Sequence, residues 1–228
     1  MIENITVKNT ILFSLLVQII TGIISLHGLF ITLPEKDRVL TDILGLETLV
    51  QFIELMFYIW ISYSMINISG MTTRRYIDWV ITTPTMLLST IIFMKYQEEK
   101  EKGDKRVEFW EFIKEDKNKI LLLFFYNFAM LALGFLGEIN VVSKFITTTI
   151  GFYFFYKSFD LIYYNYAINS QLGQKLFIFM ASVWSLYGIA ALMSTNIKNI
   201  SYNLLDLVAK NFYGLYLYYK ILQVSRGN

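Results

Sequence analysis

Apolar residues fall into seven long stretches along the chain. A bilayer core requires about 20 mostly apolar residues per helix, and each stretch is long enough. The stretches lie at residues 10–33, 40–66, 76–96, 119–138, 142–167, 173–194 and 200–222. The first stretch lacks a basic leader and a small-residue cleavage site, so we expect it to be retained as a helix. We therefore predict an all-α membrane protein in which residues 1–228 form a single seven-helix transmembrane bundle.

The composition excludes several classes of function. The chain is 55% hydrophobic and 17% aromatic, which is typical of a membrane protein. Its 20 basic and 18 acidic residues nearly cancel, so no charge excess favours nucleic acid as a partner. The chain has no cysteine and a single histidine, His27, and therefore lacks a thiol nucleophile and the usual ligands for zinc or haem. We expect neither an enzyme nor a metal site.

The charged connections predict the orientation in the membrane. Residues 97–118 form a strongly charged segment, which we predict to be a solvated loop, or a helix extension with pairs such as Glu98 with Lys102 and Glu101 with Lys105. Further basic residues on the same side of the bilayer are Lys36, Arg38, Lys175, Lys220 and Arg226. Because basic residues favour the cytoplasmic side, the N-terminus is expected outside and the C-terminus and the charged loop inside.

Ionisable residues inside the stretches are candidates for function because a charge at membrane depth is costly. Lys210 lies near the centre of the seventh stretch, and Asp206 lies one turn earlier on the same helix face. The two can be a structural ion pair, or Lys210 can be an amine that forms a Schiff base with a carbonyl compound. Lys157 and Asp160 on the fifth stretch form a competing pair, which we interpret as structural.

The third stretch supports Lys210, and not Lys157, as the functional lysine. Arg75, Asp78 and Thr82 follow one another at steps of three and four residues, so they share a helix face. Thr82 is expected to hydrogen-bond Asp78. The positive charges of a protonated Schiff base on Lys210 and of Arg75 would balance the negative charges of Asp78 and Asp206. Such a cluster would be neutral, as a low-dielectric site requires.

Two segments of these stretches resemble the signatures of microbial (type 1) rhodopsins. They are RYIDWVITTP at residues 75–84 and LLDLVAKNFYGL at residues 204–215. The segment NFAMLALGFLGE at residues 127–138 is similar to the proteorhodopsin pattern, and Trp184-Ser185-Leu186-Tyr187 resembles the segment of the family that contacts retinal. The runs ITTPTMLL and AKNFYGLYLYYK resemble the giant-virus (phycodnavirus-type) branch. The resemblance covers nearly the whole chain.

The resemblance implies that all-trans retinal is bound covalently to Lys210 as a protonated Schiff base. It also implies that Asp78 is the primary counterion and proton acceptor, Asp206 the second counterion, and Arg75 the arginine on the extracellular side of the Schiff base. The residues that would line the retinal pocket are Tyr76, Trp79, Thr83, Met86, Met130, Gly134, Trp184 and Tyr187.

The chain departs from the family at several functional positions. The three-position motif of the third stretch reads Asp78, Thr82, Ser89. A serine thus replaces the carboxylate that would return a proton to the Schiff base, and the proton must come from elsewhere. In the sixth stretch Gly188 replaces the usual proline and Ala191 replaces the second tryptophan, which changes the expected helix tilt and the fit of the retinal ring.

A polar stripe on the second stretch offers a substitute for the missing donor. Glu47, Gln51, Glu54 and Tyr58 follow a 4-3-4 spacing and share one helix face. Because a polar face toward lipid is costly, we expect it to face the bundle or a water-filled cavity. The stripe can be a plain hydrogen-bond network, it can supply Glu47 as the internal proton donor in place of Ser89, or it can conduct cations along Glu47 and Glu54.

The leading hypothesis is a retinal-binding, light-driven outward proton pump. A light-gated cation channel is the main alternative, because the donor carboxylate is missing, the acidic stripe is present, and residues 161–205, where Lys198 lies, hold no carboxylate for proton release. A photosensor is a third hypothesis. The expected partners are retinal, the lipid bilayer and protons or small cations, and a homo-oligomer is left open. We expect an integral, multi-pass protein in the plasma membrane or another cellular membrane of a host cell.

Overall fold

A computed structural model describes residues 2–63, 70–103 and 105–227, with side chains from residue 6 onward. Within these ranges the chain is almost entirely helical, and they hold no β-strand. The helices are α1 (Ile2–Leu29), α2 (Val39–Tyr63), α3 (Met71–Lys102), α4 (Phe109–Glu115), α5 (Lys117–Glu138), α6 (Lys144–Ile162), α7 (Gln171–Ala191), α8 (Thr195–Asp206) and α9 (Phe212–Ser225).

Two π-helical turns join helices into longer rods. Tyr163–Ala167 continues α6, and Leu207–Asn211 connects α8 to α9. A π-helical turn accommodates one more residue than an α-helical turn, and such turns are frequent at functional sites. Lys210 lies in the second of them. The hydrophobic pattern predicts the rod but not this local change of pitch.

The described residues form seven long rods, in agreement with the prediction. Five helices, α1, α2, α3, α5 and α7, are by themselves long and apolar enough to cross a membrane among the described residues. Helices α8 and α9 have 12 and 14 residues, so they reach the length of a span only when the π-helical turn joins them. The predicted end of the second span, residues 64–66, lies outside the described residues.

The charged segment 97–118 is not a loop throughout. Helix α3 continues to Lys102, whose Nζ lies 2.5 Å from Glu98 Oε1, as the predicted helix extension requires. Helix α4 occupies a further part of the segment. Glu101 accepts hydrogen bonds from the first two backbone N–H groups of α7, at 3.0 and 3.5 Å, an arrangement that the positive end of a helix dipole favours. The segment therefore ties α3 to α7.

The seven rods form a closed ring in chain order. Helix α1 packs against α2, α2 against α3, α3 against α5, α5 against α6, α6 against α7 and α7 against α8, and the rod of α8 and α9 packs against α1. At one end of the ring Glu138 pairs with Lys198, and at the other end Asp37 pairs with Lys100. We refer to these as the Glu138 end and the Asp37 end.

The interior of the ring holds polar as well as apolar side chains, and many large apolar side chains are exposed on its outside. On α1 the buried polar residues recur at steps of three and four, whereas the large apolar residues between them are exposed. Two of the buried groups bind the seventh rod: Ser14 Oγ donates to the Asn203 carbonyl at 3.1 Å, and Asn211 Nδ2 donates to Thr21 Oγ1 at 2.7 Å. Interhelical hydrogen bonds of this kind help to hold helices together in lipid. This arrangement is that of an integral membrane protein.

The close approach of α5 and α6 depends on Gly137. A Cβ atom at this position would overlap Oγ1 of Thr147 and lie 3.4 Å from Cα of Lys144. We expect Gly137→Ala to lower the free energy of unfolding by about 1–3 kcal/mol, the usual cost of overpacking. Gly22→Ala is the matched control, because a Cβ atom there would meet nothing within 4 Å. Thermal unfolding in detergent, followed by circular dichroism, compares the two, and equal melting temperatures would contradict the packing argument.

Candidate functional site

The centre of the bundle holds one lysine surrounded by three carboxyl groups. Lys210 is 2% exposed, and its Nζ lies 2.8 Å from Asp78 Oδ2, 3.5 Å from Glu54 Oε1 and 3.8 Å from Asp206 Oδ1. Three different rods supply these groups: α2, α3 and the rod of α8 and α9. The sequence predicted the proximity of Lys210 to both aspartates but assigned Glu54 to a separate path.

Glu54 changes the charge count of the cluster. From the sequence we expected the positive charges of Lys210 and Arg75 to balance the negative charges of two aspartates. In the structure a third carboxyl group, that of Glu54, lies beside Lys210. Full ionisation would leave the cluster with a net negative charge in a low-dielectric interior, which is costly. Neutrality therefore requires one proton on the three carboxyl groups. The position of Glu54 along α2 did not reveal this, because its depth relative to Lys210 depends on how α2 packs against α9.

Asp206 is held by donors from three other rods. Arg75 Nη1 donates to its Oδ2 at 2.9 Å, Tyr58 donates to the same oxygen at 2.8 Å, and Tyr187 donates to Oδ1 at 2.9 Å. Arg75 also hydrogen-bonds Asn203 and lies over the rings of neighbouring aromatic residues. Charge-assisted hydrogen bonds of this kind stabilise an ionised carboxylate. Asp206 is therefore the carboxyl group of the cluster with the most hydrogen-bond donors around it.

Asp78 has fewer partners than Asp206. The expected hydrogen bond from Thr82 goes to the backbone carbonyl of Asp78, at 3.0 Å, and not to its carboxylate, because a threonine inside a helix readily bonds the carbonyl one turn earlier. The carboxylate interacts with Lys210 through Oδ2, while Oδ1 has no hydrogen-bond partner among the described residues. Asp78 is therefore the carboxyl group closest to Nζ of Lys210, and it has one oxygen without a hydrogen bond to any described residue.

The polar stripe of α2 faces the interior, as predicted. Glu47, Gln51, Glu54 and Tyr58 are each at most 2% exposed. Glu47 forms a hydrogen bond with Ser89 of α3. The serine of the three-position motif thus contacts the glutamate that one of the three hypotheses on the stripe makes the internal donor. Gln51 lies between the two glutamates, and its amide has no hydrogen-bond partner among the described residues. The stripe thus leads from the Asp37 side of the bundle to the Lys210 cluster.

Gly214 of α9 makes room for this stripe. A Cβ atom on Gly214 would overlap the amide nitrogen of Gln51. Only a residue without a side chain therefore allows Gln51 to lie between α2 and α9 as it does. The GL pair in the LLDLVAKNFYGL segment is the sequence signal for this contact, but it becomes meaningful only when the partner on α2 is known.

An apolar pocket adjoins the cluster, and Lys210 is part of its wall. The pocket contains about 830 Å³ of space not filled by atoms, counted out to its open side, within the usual range for small-molecule sites. All nine residues assigned to cofactor binding line it: Lys210, Tyr76, Trp79, Thr83, Met86, Met130, Gly134, Trp184 and Tyr187. An apolar pocket with a buried amine in its wall fits retinal, which is an apolar polyene with an aldehyde at one end.

Sequence reasoning missed the contribution of α6 to this pocket. Thr147, Thr148, Gly151, Phe152 and Phe155 all line it. A Cβ atom on Gly188 would lie 2.5 Å from the Phe152 ring, so the glycine that replaces the usual proline admits this ring. The aromatic run of α6 gave no signal for a pocket, because aromatic residues also occur on lipid-facing surfaces. Ala191, the other departure of the sixth stretch, lines the pocket as well.

The competing lysine lies away from the cluster. Lys157 is partly exposed, and its Nζ lies 5.9 Å from the ring centre of Tyr153, an exposed residue. No ion pair between Lys157 and Asp160 occurs in the described part of the chain. This residue therefore provides a control for Lys210.

Comparisons with known proteins agree on one family. A family model of bacteriorhodopsin-like proteins matches residues 9–224. No curated protein sequence matches the chain. The crystal structure of viral rhodopsin OLPVRII is similar, with 26% identity, a TM-score of 0.81, and coverage of 96% of this chain and 98% of that chain.

Two further structures share the fold at lower identity. The blue light-absorbing proteorhodopsin from Med12 has 19% identity and a TM-score of 0.75, over 95% of this chain and 98% of that chain. The light-driven proton pump CsR of Coccomyxa subellipsoidea has 18% identity and a TM-score of 0.71, over 94% of this chain and 96% of that chain. The similarity to a viral rhodopsin agrees with the branch that the sequence resembles. Since the family model covers almost the whole chain, this protein belongs to the bacteriorhodopsin-like family of microbial rhodopsins.

Proposed function

We propose that this protein is a retinal-binding, light-driven outward proton pump. The observation that carries the proposal is the 2.8 Å contact between Nζ of Lys210 and Oδ2 of Asp78, with both groups buried at the wall of an apolar pocket. Retinal, held by Lys210 through a Schiff base, would supply light absorption and an isomerisation from all-trans to 13-cis. The residues around Lys210 determine where its proton goes.

Asp78 is the proposed acceptor of the proton at Nζ of Lys210. Its Oδ2 lies 2.8 Å from that nitrogen, closer than the nearest oxygens of Glu54, at 3.5 Å, and Asp206, at 3.8 Å. Asp206 is less suited to accept the proton, because Arg75 and two tyrosine hydroxyls already satisfy its oxygens. We assign Asp206 the role of second counterion, which keeps Arg75 in place.

Glu47 is the proposed internal donor that returns the proton. It is fully buried, it hydrogen-bonds Ser89, and it lies on the same face of α2 as Glu54. A buried carboxyl group can hold a proton and release it when a base appears nearby. From the distribution of basic residues we expect the Asp37 end to face the cytoplasm. With that orientation, uptake through Glu47 and release past Asp206 would move protons outward.

A light-gated cation channel is the second candidate, and Glu54 favours it. This carboxyl group of the polar stripe lies 3.5 Å from Nζ of Lys210, so acidic groups follow one another along α2 toward the cluster. Carboxylates that line a hydrated path attract cations. Against a channel, the four residues of the stripe are each at most 2% exposed, and Arg75 lies next along the path. The pump therefore remains the preferred function.

Photocurrent measured against voltage distinguishes the two functions. In cells that express the protein with retinal, we expect a current that stays outward over a wide voltage range, since a pump does work against the gradient. A pore only dissipates a gradient, so its current reverses where the driving force on the cation vanishes. The Lys210→Ala variant supplies the background. A wild-type current that reverses with the imposed cation gradient would establish the channel and reject the pump.

Lys210→Ala is expected to abolish the visible chromophore, because it removes the one amine that the described residues contribute to the wall of the pocket. Lys157→Ala should keep the chromophore, since that lysine does not reach the pocket. Both variants are purified with added retinal and their absorption spectra compared. A coloured Lys210→Ala protein would overturn the assignment of the retinal site.

Asp78→Asn is expected to shift the absorption maximum to longer wavelength and to reduce light-driven acidification by about 100-fold or more. The shift follows because removal of the anion destabilises the positive charge that is localised on nitrogen in the ground state. The spectra and the pH changes of illuminated cells check both effects. An unshifted spectrum at neutral pH would contradict the assignment of Asp78 and would show that Glu54 or Asp206 is the main counterion.

Glu47→Gln is expected to slow recovery of the dark state by about 100-fold, because the amide cannot donate the proton. Adding Ser89→Asp to this variant should restore the rate, since a carboxyl group then stands at the position of the contact with Glu47. Flash photolysis at several external pH values measures both. If neither substitution alters the recovery, water and not Glu47 supplies the proton.

A further inference from the structure

A second buried lysine lies at the Glu138 end, and the proposed function does not use it. Lys198 is 1% exposed, and its Nζ lies 2.7 Å from both carboxylate oxygens of Glu138. Lys144 approaches Glu138 to 3.1 Å from the surface, where its own side chain is 36% exposed. A buried lysine is costly unless it is paired, and this one sits at the exit from the bundle.

Lys198 belongs to the same helix face as the Lys210 cluster. The buried residues of α8 recur with helical spacing and are Lys198, Asn199, Tyr202, Asn203 and Asp206. Lys198 and Asp206 are eight positions apart, which corresponds to about 12 Å along the helix axis. This face therefore provides a row of buried polar side chains from the Lys210 cluster to Lys198, and we refer to this row together with the stripe of α2 as the polar path.

Two fixed cations follow one another on this path. The first is Arg75, which is held by Asp206 and Asn203 and enclosed by aromatic rings. The second is Lys198. Among the described side chains, Glu138 is the only carboxylate at this end outside the Lys210 cluster. Since Glu138 faces two lysines, the end of the path carries a net positive charge.

The positive charge at the Glu138 end affects the passage of a metal cation differently from the passage of a proton. A sodium ion would have to displace the paired lysine and approach its charge at short range in a poorly screened interior, where repulsion is strong. Rings of basic residues exclude cations from pores for the same reason. A proton can instead move between hydrogen-bonded hydroxyl groups and water without displacing the ion pair. The pair thus separates the two kinds of cation.

We propose that the Lys198–Glu138 ion pair closes the Glu138 end of the polar path to metal cations while it lets protons pass. It is a determinant of ion specificity that acts at a distance from the Lys210 cluster. The proposal rests on the pump function and explains how a protein with acidic groups along α2 avoids conducting cations. Lys198 thereby performs a role for which its sequence position gave no indication.

The test is the photocurrent of Lys198→Met under an imposed sodium gradient. This variant keeps the length of the side chain and removes its charge, and Glu138 retains Lys144 as a partner. We expect an added current component that reverses sign and whose zero-current voltage follows the sodium gradient. Lys198→Gln, which can still hydrogen-bond Glu138, replaces the first variant if the latter does not assemble with retinal, and the same result is expected.

Two controls separate the charge from general damage. Lys198→Arg keeps the charge and should give the wild-type, non-reversing current. Lys144→Met removes the exposed lysine from the same carboxylate and should also leave the current non-reversing. The absorption spectrum of each variant verifies that the retinal pocket is intact.

The outcomes distinguish this proposal from the proposed function. A wild-type current that follows the sodium gradient rejects the pump, and the closure with it. A non-reversing current in the wild type and in Lys198→Met, or in Lys198→Gln where that variant is used, rejects the closure alone and leaves the pump intact. A reversing current in Lys198→Arg or Lys144→Met would also reject it, because the charge of Lys198 would then not be the cause.

Discussion

The positive charge at Nζ of Lys210 is buried in a membrane bundle, and the surrounding polar groups stabilise this charge. An isolated charge at this depth would cost several kcal/mol, and Lys210 is only 2% exposed. Asp78 provides the direct partner at 2.8 Å. Asp206 provides a second anion, which in turn requires Arg75 and two tyrosines to hold it. The inward polar faces of the rods follow from this requirement.

The interior charges are arranged in layers along the bundle. Glu47 and Ser89 lie on the Asp37 side, the Lys210 cluster at the centre, Arg75 beyond it, and Lys198 with Glu138 at the opposite end. Each positive group contacts at least one carboxylate, so the energy of burial is kept low. Such a series of separate pairs is suited to the transfer of protons from layer to layer.

Periodicity and the two helix motifs were sufficient to predict the seven rods and the contact of Lys210 with Asp78. Residues on one helix share a face according to their spacing, and the resemblance to rhodopsins related the two helices. Contacts that depend on how rods slide past one another were not predictable. Glu54 reaches Lys210, and Glu138 reaches Lys198 across 60 positions, because of relative depths that no single helix encodes. The hydrogen bond of Thr82 differed because the backbone carbonyl of Asp78 competes with its carboxylate.

Time-resolved infrared spectroscopy of the illuminated protein tests most directly whether Asp78 takes the proton from Nζ of Lys210. If Asp78 is the acceptor, the carbonyl band of a newly protonated carboxylic acid should rise as the nitrogen loses its proton. This band should be absent from Asp78→Asn and retained in Asp206→Asn and Glu54→Gln. A band that persists in Asp78→Asn and disappears in either of the other variants would contradict the assignment of Asp78, because a different carboxyl group of the cluster would then be the acceptor.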